Sequence, residues 1–135
     1  MRTFALAIGV ILIAVASPGA AQAAVYACDV ADAWRLGPDG EQIRDERTQT
    51  RLRLHGRFTF NDRTGRVAGL REEWVLSVLQ KPIGPNTLLA VSIHKGPGNT
   101  ALQILKINAF EKERMPFLWV SDDEISSGVC TTGGE

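Results

Sequence analysis

The sequence predicts an all-β fold, a small antiparallel meander curled into a barrel or half-barrel and closed by one disulfide. Three observations predict it. Six to eight short apolar runs alternate with period two, turn-forming residues follow most of them, and two cysteines, Cys28 and Cys130, stand near opposite ends of the 135 residues. No long amphipathic helical pattern competes, and the short connections favour pairing of consecutive strands. A two-sheet sandwich is the alternative arrangement of the same strands.

The N-terminus carries Arg2, an apolar run over residues 4–16, Ser17-Pro18-Gly19 and then Ala21-Gln22-Ala23. This order of positive start, apolar centre and small-residue site predicts a secretory signal peptide over 1–23. The run is short for a transmembrane helix, and no later segment has spanning length. Residues 24–135 then form one domain with a modest core, periplasmic or secreted. The chain has 15 Lys and Arg against 15 Asp and Glu, and only Arg2 of these falls in the leader. An oxidising compartment pairs isolated cysteines, so a Cys28–Cys130 disulfide is expected, tying the first strand to the last. The rival is a lipoprotein acylated at Cys28, because Val25-Tyr26-Ala27-Cys28 loosely matches a lipobox. Against it, Tyr26 is bulky where a small residue is wanted, and the apolar run ends a dozen residues too early.

Val25 to Leu36 reads as the opening strand, with Tyr26, Cys28, Val30, Trp34 and Leu36 on one parity, interrupted by Asp32. Gly37-Pro38-Asp39-Gly40 is a turn. Glu41 to Thr50 is polar and reads as a loop or one or two helical turns, with Glu41–Arg44 and Arg47–Arg51 as neighbours. From Arg51 the alternation returns: Leu52, Leu54, Phe58 and Phe60 form one face, and Arg51, Arg53, His55 and Arg57 the other. Asn61-Asp62-Arg63-Thr64-Gly65 supplies an Asx-opened turn closed by glycine, and Arg66-Val67-Ala68 returns, so 51–69 is predicted to be a hairpin. Trp74 to Leu79 is apolar on both parities, as in a strand covered on two sides. After the break at Lys81 to Asn86, Leu89, Val91 and Ile93 lead to the turn at Gly96-Pro97-Gly98-Asn99. In the partner strand Leu102 and Ile104 share one parity but Leu105 and Ile107 the other, which predicts a bulge near Ile104. Residues 116–120 and 125–130 read as strands around Asp122-Asp123-Glu124, and 131–135 as a loose tail.

Arg51, Arg53, His55 and Arg57 form a basic row about 20 Å long by strand rise, the candidate face for an anionic envelope component or another exported protein. Glu72, Glu73, Asp45 and Glu46 are available as counter-charges, and a solvated face is polar in any case. The balanced net charge disfavours a nucleic-acid binder. His55 and His94 are placed on outward parities without the spacing of a metal site, and Asp122-Asp123-Glu124 lacks the alternating ligands of a calcium loop. No metal or cofactor is expected. No Gly-x-Ser-x-Gly elbow is present, both cysteines are assigned, and neighbouring carboxylates such as Glu72-Glu73 point to opposite faces of a strand, so an enzyme is not expected. Trp34, Trp74 and Trp119 are first read as core volume.

Four short motifs span the chain: Tyr26-x-Cys28, Phe58-x-Phe60-Asn61-Asp62-x-Thr64-Gly65, Pro116-Phe117-Leu118 and Ser127-Gly128-Val129-Cys130. In these the chain resembles a family of small exported bacterial proteins with a cysteine near each end, a family that brings no established activity. In size and cysteine count it is also similar in class to the lysozyme inhibitors of bacterial envelopes, which are small disulfide-bonded β-barrels. It lacks the Ser-Gly-x-x-Tyr loop of the membrane-bound kind, so no inhibitory residue carries over. The expected function is non-catalytic binding in the cell envelope. The alternatives are a small-ligand barrel, with Trp34, Trp74, Phe58, Phe60 and Trp119 around a cavity, and third an envelope enzyme or a lysozyme-inhibitor-like protein.

Overall fold

The computed structural model describes residues 23–71, 73–81, 87–110 and 113–133. The predicted leader, all but Ala23, lies outside them, as does the Pro82–Asn86 break. The chain folds as an antiparallel, nearly closed barrel. Its strands are β1 (Val25–Leu36), β2 (Gln42–Ile43), β3 (Arg57–Asn61), β4 (Arg66–Ala68), β5 (Trp74–Val75), β6 (Ser77–Gln80), β7 (Thr87–Gly96), β8 (Asn99–Asn108), β9 (Met115–Ser121) and β10 (Glu124–Thr132). One helix, α1 (Glu46–Leu54), lies between β2 and β3.

Strands pair in the order β5-β4-β3-β1-β10-β9-β8-β7-β6, with β2 attached to the end of β1. Most paired strands are consecutive in sequence; the exceptions are β1 with β3, across the short β2 and α1, and the long-range seam of β1 against β10. The two ends of this order, β5 and β6, are separated in the chain by Leu76 alone. One short run thus pairs with β4 on one side of Leu76 and with β7 on the other, which curls the sheet onto itself. This continuous sheet is the predicted meander, and it replaces the sandwich alternative. It also corrects the expectation of one doubly covered strand at Trp74 to Leu79: Val75 and Leu79 are 65% and 63% exposed.

The Cys28–Cys130 disulfide forms, across a directly opposed pair of the seam. The bridge uses the Cys28 sulfur that the lipoprotein alternative requires. Around it the interior is tightly packed by Tyr26, Phe60, Val67, Leu76, Leu88, Ile107 and Met115, all at most 2% exposed. The turn after β3 is built as its residues predict. Asn61 Oδ1 accepts from the Arg63 and Thr64 amides at 2.9 and 3.1 Å, and Gly65 takes φ +69°. Gly65 also receives the closure, because its carbonyl accepts from Leu76 N–H at 2.8 Å.

The placement of bulges differs from expectation. β8 keeps an unbroken register with both neighbours, so no bulge lies near Ile104. Its interior parity is the odd one, Gln103, Leu105 and Ile107, and the apolar Leu102 and Ile104 lie half-buried on the outer face. Irregularities sit instead in β6 between Val78 and Gln80 and, with the larger consequence, in β1 between Val30 and Asp32. The one in β1 reverses the parity of that strand, so Tyr26 and Cys28 point inward before it and Ala33 after it, while Trp34 is only half-buried. Asp32 at an apolar-parity position is explained by this reversal: it faces outward to Arg44 at 2.7 and 3.2 Å. At the C-terminus, Thr131 and Thr132 pair with β1 and belong to β10, not to a loose tail.

Candidate functional site

Residues 46–54 are helical: the helical turns allowed within 41–50 form, and the largest correction is that they continue through Arg51 to Leu54, where a strand was expected. Asp45 caps the helix, its carboxylate accepting from Thr48 N–H at 3.1 Å while its own amide donates to Thr48 Oγ1 at 3.0 Å. Glu46 lies in the first turn, Arg51 and Arg53 in the last, each favoured by the helix dipole. His55 ends the helix, its amide donating to the Arg51 carbonyl at 2.7 Å, and Gly56 follows. The predicted basic strand face therefore does not exist. Helical spacing places Arg51 and His55 four residues apart on one face with the fully buried Thr48, and turns Arg53 outward to Thr50. Arg57, the one member on a strand, is 78% exposed by side chain and bonded at 2.6 Å to Asp29 directly opposite.

The face with Thr48, Arg51 and His55 packs toward one end of the barrel, where α1 meets β1. Asp45 anchors its start through Arg35 at 2.7 Å, and the Arg35 guanidinium, followed by the Thr48 amide, holds the Asp45 carboxyl below the usual carboxylate range. Its last turns are held by Glu124 at the start of β10. That carboxylate is 7% exposed and takes Arg51 Nη1 at 2.5 Å together with Arg47, which also reaches Asp123 at 3.4 Å. The expected pairs Glu41–Arg44 and Arg47–Arg51 are replaced by these long-range contacts. The acidic turn is thus explained structurally: Asp122 stands at φ +54° and accepts from Leu102 N–H at 2.8 Å, and its two neighbours bind arginines.

Glu124→Ala is expected to lower stability by about 1–2 kcal/mol. Removing one partner of a fully buried pair costs roughly 3–5 kcal/mol, but Arg47 and Arg51 are exposed enough for water to replace part of the lost contact. Urea denaturation of the variant checks it.

Beneath α1 lies a cavity of about 210 Å³, partly open to solvent. Val30, Phe58, Leu70, Trp74 and Trp119 form its apolar wall, and Arg51, His55, Arg71, Gln103, Ser121 and Ser126 its polar groups. The aromatic wall is rigid. Phe58 meets Trp119 edge-to-face at 4.8 Å and Phe117 at 5.3 Å, both near 87°. Gln103, 4% exposed, accepts from the Trp119 indole N–H at 2.6 Å and donates to Ser121 Oγ at 2.7 Å, which fixes the Trp119 ring. The cavity persists at this end because its inward positions are short or polar, Ser121, Gln103 and Ser126, where the opposite end has large apolar side chains.

The barrel thus brings together three of the five aromatic residues expected around a cavity, Phe58, Trp74 and Trp119. Phe60 belongs to the packed core and Trp34 to the strand end beyond the bulge. Of the basic row, Arg51 and His55 reach the cavity, and Arg53 and Arg57 do not. His94 is exposed, as expected from its parity; His55 is half-buried in the cavity wall, not outward. Among the described residues, no group of three or more His, Cys, Asp or Glu could hold a metal, and no helix is long and apolar enough to cross a membrane. No protein-family model, curated protein or solved structure matches this chain. The resemblance to small exported two-cysteine proteins accordingly rests on the four motifs quoted above.

Proposed function

We propose that this chain is an exported, non-catalytic binding protein whose barrel holds a small, partly apolar molecule beneath α1. The observation that carries the reading is the cavity itself, with a preformed aromatic wall on one side and cationic side chains on the other. Sites for small molecules combine these two properties, an apolar lining for affinity and a few polar groups for orientation. Binding without chemistry is supported by the commitments of the polar groups: Gln103 and Ser121 orient Trp119, and Arg51 holds the helix to Glu124. Export is supported by the leader-like N-terminus and the disulfide.

The test is thermal unfolding by scanning calorimetry of residues 24–135 with small aromatic probes such as indole and phenol. A ligand that binds only the folded state at about 100 times its Kd adds roughly 2.7 kcal/mol of stability, a shift readable in a domain of this size. Leu70→Trp, which places a larger side chain at a half-buried wall position, is expected to abolish the shift. Equal shifts in wild type and Leu70→Trp, or none at millimolar probe, would overturn the reading.

A further inference from the structure

Building on the cavity reading, we propose that the ligand is an aromatic monocarboxylate of one ring with a short acid arm, its ring against Phe58, Trp74 and Trp119 and its carboxylate between Arg51 and Arg71. Volume limits the body of the ligand. An apolar cavity of about 150 Å³ accommodates benzene, so about 210 Å³ leaves room for a few further heavy atoms, and most of a long acyl chain would lie outside it. The wall chooses a ring over an aliphatic body. Phe58 and Trp119 are locked at 87° to each other, and such a corner offers a third ring one edge and one face.

Charge selects the acid. Two guanidinium groups contribute to the cavity, and no carboxylate is among its described wall. Arg51 gives one nitrogen, Nη1, to Glu124, and a guanidinium has donors left for a second carboxylate. Arg71 is exposed and makes no ion pair among the described residues. Among the described ion pairs of this end, Arg47 and Arg51 hold Asp123 and Glu124, and Arg35 and Arg44 hold Asp45 and Asp32. Arg71, in none of these pairs, is the cavity guanidinium most available to an arriving anion.

Calorimetric titration with phenylacetate, its neutral isostere phenylacetamide, and palmitate tests the proposal. Phenylacetate should bind at least ten times more tightly than phenylacetamide, and palmitate more weakly than either. Arg71→Gln, at an exposed position outside the ion pairs described, should reduce phenylacetate affinity about tenfold and leave phenylacetamide unchanged. Arg51→Gln should do the same, with circular dichroism confirming that α1 is intact. If phenylacetamide binds as tightly as phenylacetate, or Arg71→Gln changes nothing, the carboxylate assignment falls and the cavity reading stands. Palmitate binding more tightly than phenylacetate would overturn the size argument. If neither aromatic probe binds, the cavity reading falls as well.

Discussion

Reducing the Cys28–Cys130 disulfide, or replacing both cysteines with alanine, is expected to lower the melting temperature by roughly 10–20 °C. The bridge joins residues 102 apart in sequence, close to the longest loop this chain can close. On the chain-entropy account, a loop of about 100 residues restricts the unfolded state by roughly 4–5 kcal/mol, and native disulfides of small domains contribute about 2–5 kcal/mol in practice. In a domain this size each kcal/mol moves the midpoint by about 4 °C. Differential scanning calorimetry with and without reductant measures it. A shift under about 4 °C would mean that the β1–β10 seam holds without its covalent tie.

Gly65→Ala is expected to destabilise by about 2–5 kcal/mol, a large effect for one methyl group in a turn. Two costs combine there. Gly65 stands at φ +69°, a left-handed conformation that costs an L residue roughly 1–2 kcal/mol. A Cβ would also lie 1.8 Å from the Leu76 carbonyl oxygen, which is backbone and cannot rotate away. Relief requires moving the junction of β5 and β6, and overpacking of this kind costs about 1–3 kcal/mol. Gly98→Ala separates the two contributions. It has φ +81° but nothing within 4 Å of its added Cβ, so only the conformational cost of roughly 1–2 kcal/mol applies. If the two variants unfold at the same urea concentration, contact between the turn and Leu76 contributes nothing to barrel closure.

The meander and most turns were legible because they depend on local chemistry, and the seam because two cysteines mark its opposed strands. Asn61 to Gly65, Pro97-Gly98 and the alternation of Met115, Phe117 and Trp119 each specify their geometry within a few residues. The helix was misread because Leu52 and Leu54 mimic strand alternation next to two real strand residues, Phe58 and Phe60. In the fold Leu52 is half-buried and Leu54 is 55% exposed, so neither supplies the core face that alternation implied. The information was present in Asp45 and Thr48, a capping pair at the required spacing. Parity misled in a second way. Gln103 lies inward because it serves Trp119 and Ser121, and a polar side chain at an interior position inverts the reading of its whole strand. Leu70 and Arg71 reach the cavity from a bend, where periodicity carries no information.

The β1–β10 seam has a consequence for how the chain comes into being. A polypeptide emerging N-terminus first presents β1 early, and its pairing with β3 satisfies one edge almost at once. The other edge is left open until the last strand arrives, nearly the whole domain later. Until then Cys28 has only cysteines of other molecules to react with, and the exposed strand edge is a template for intermolecular pairing. Such long-range closure also slows the final step relative to the local hairpins. The yield of native protein is therefore expected to fall as the concentration of newly made chains rises.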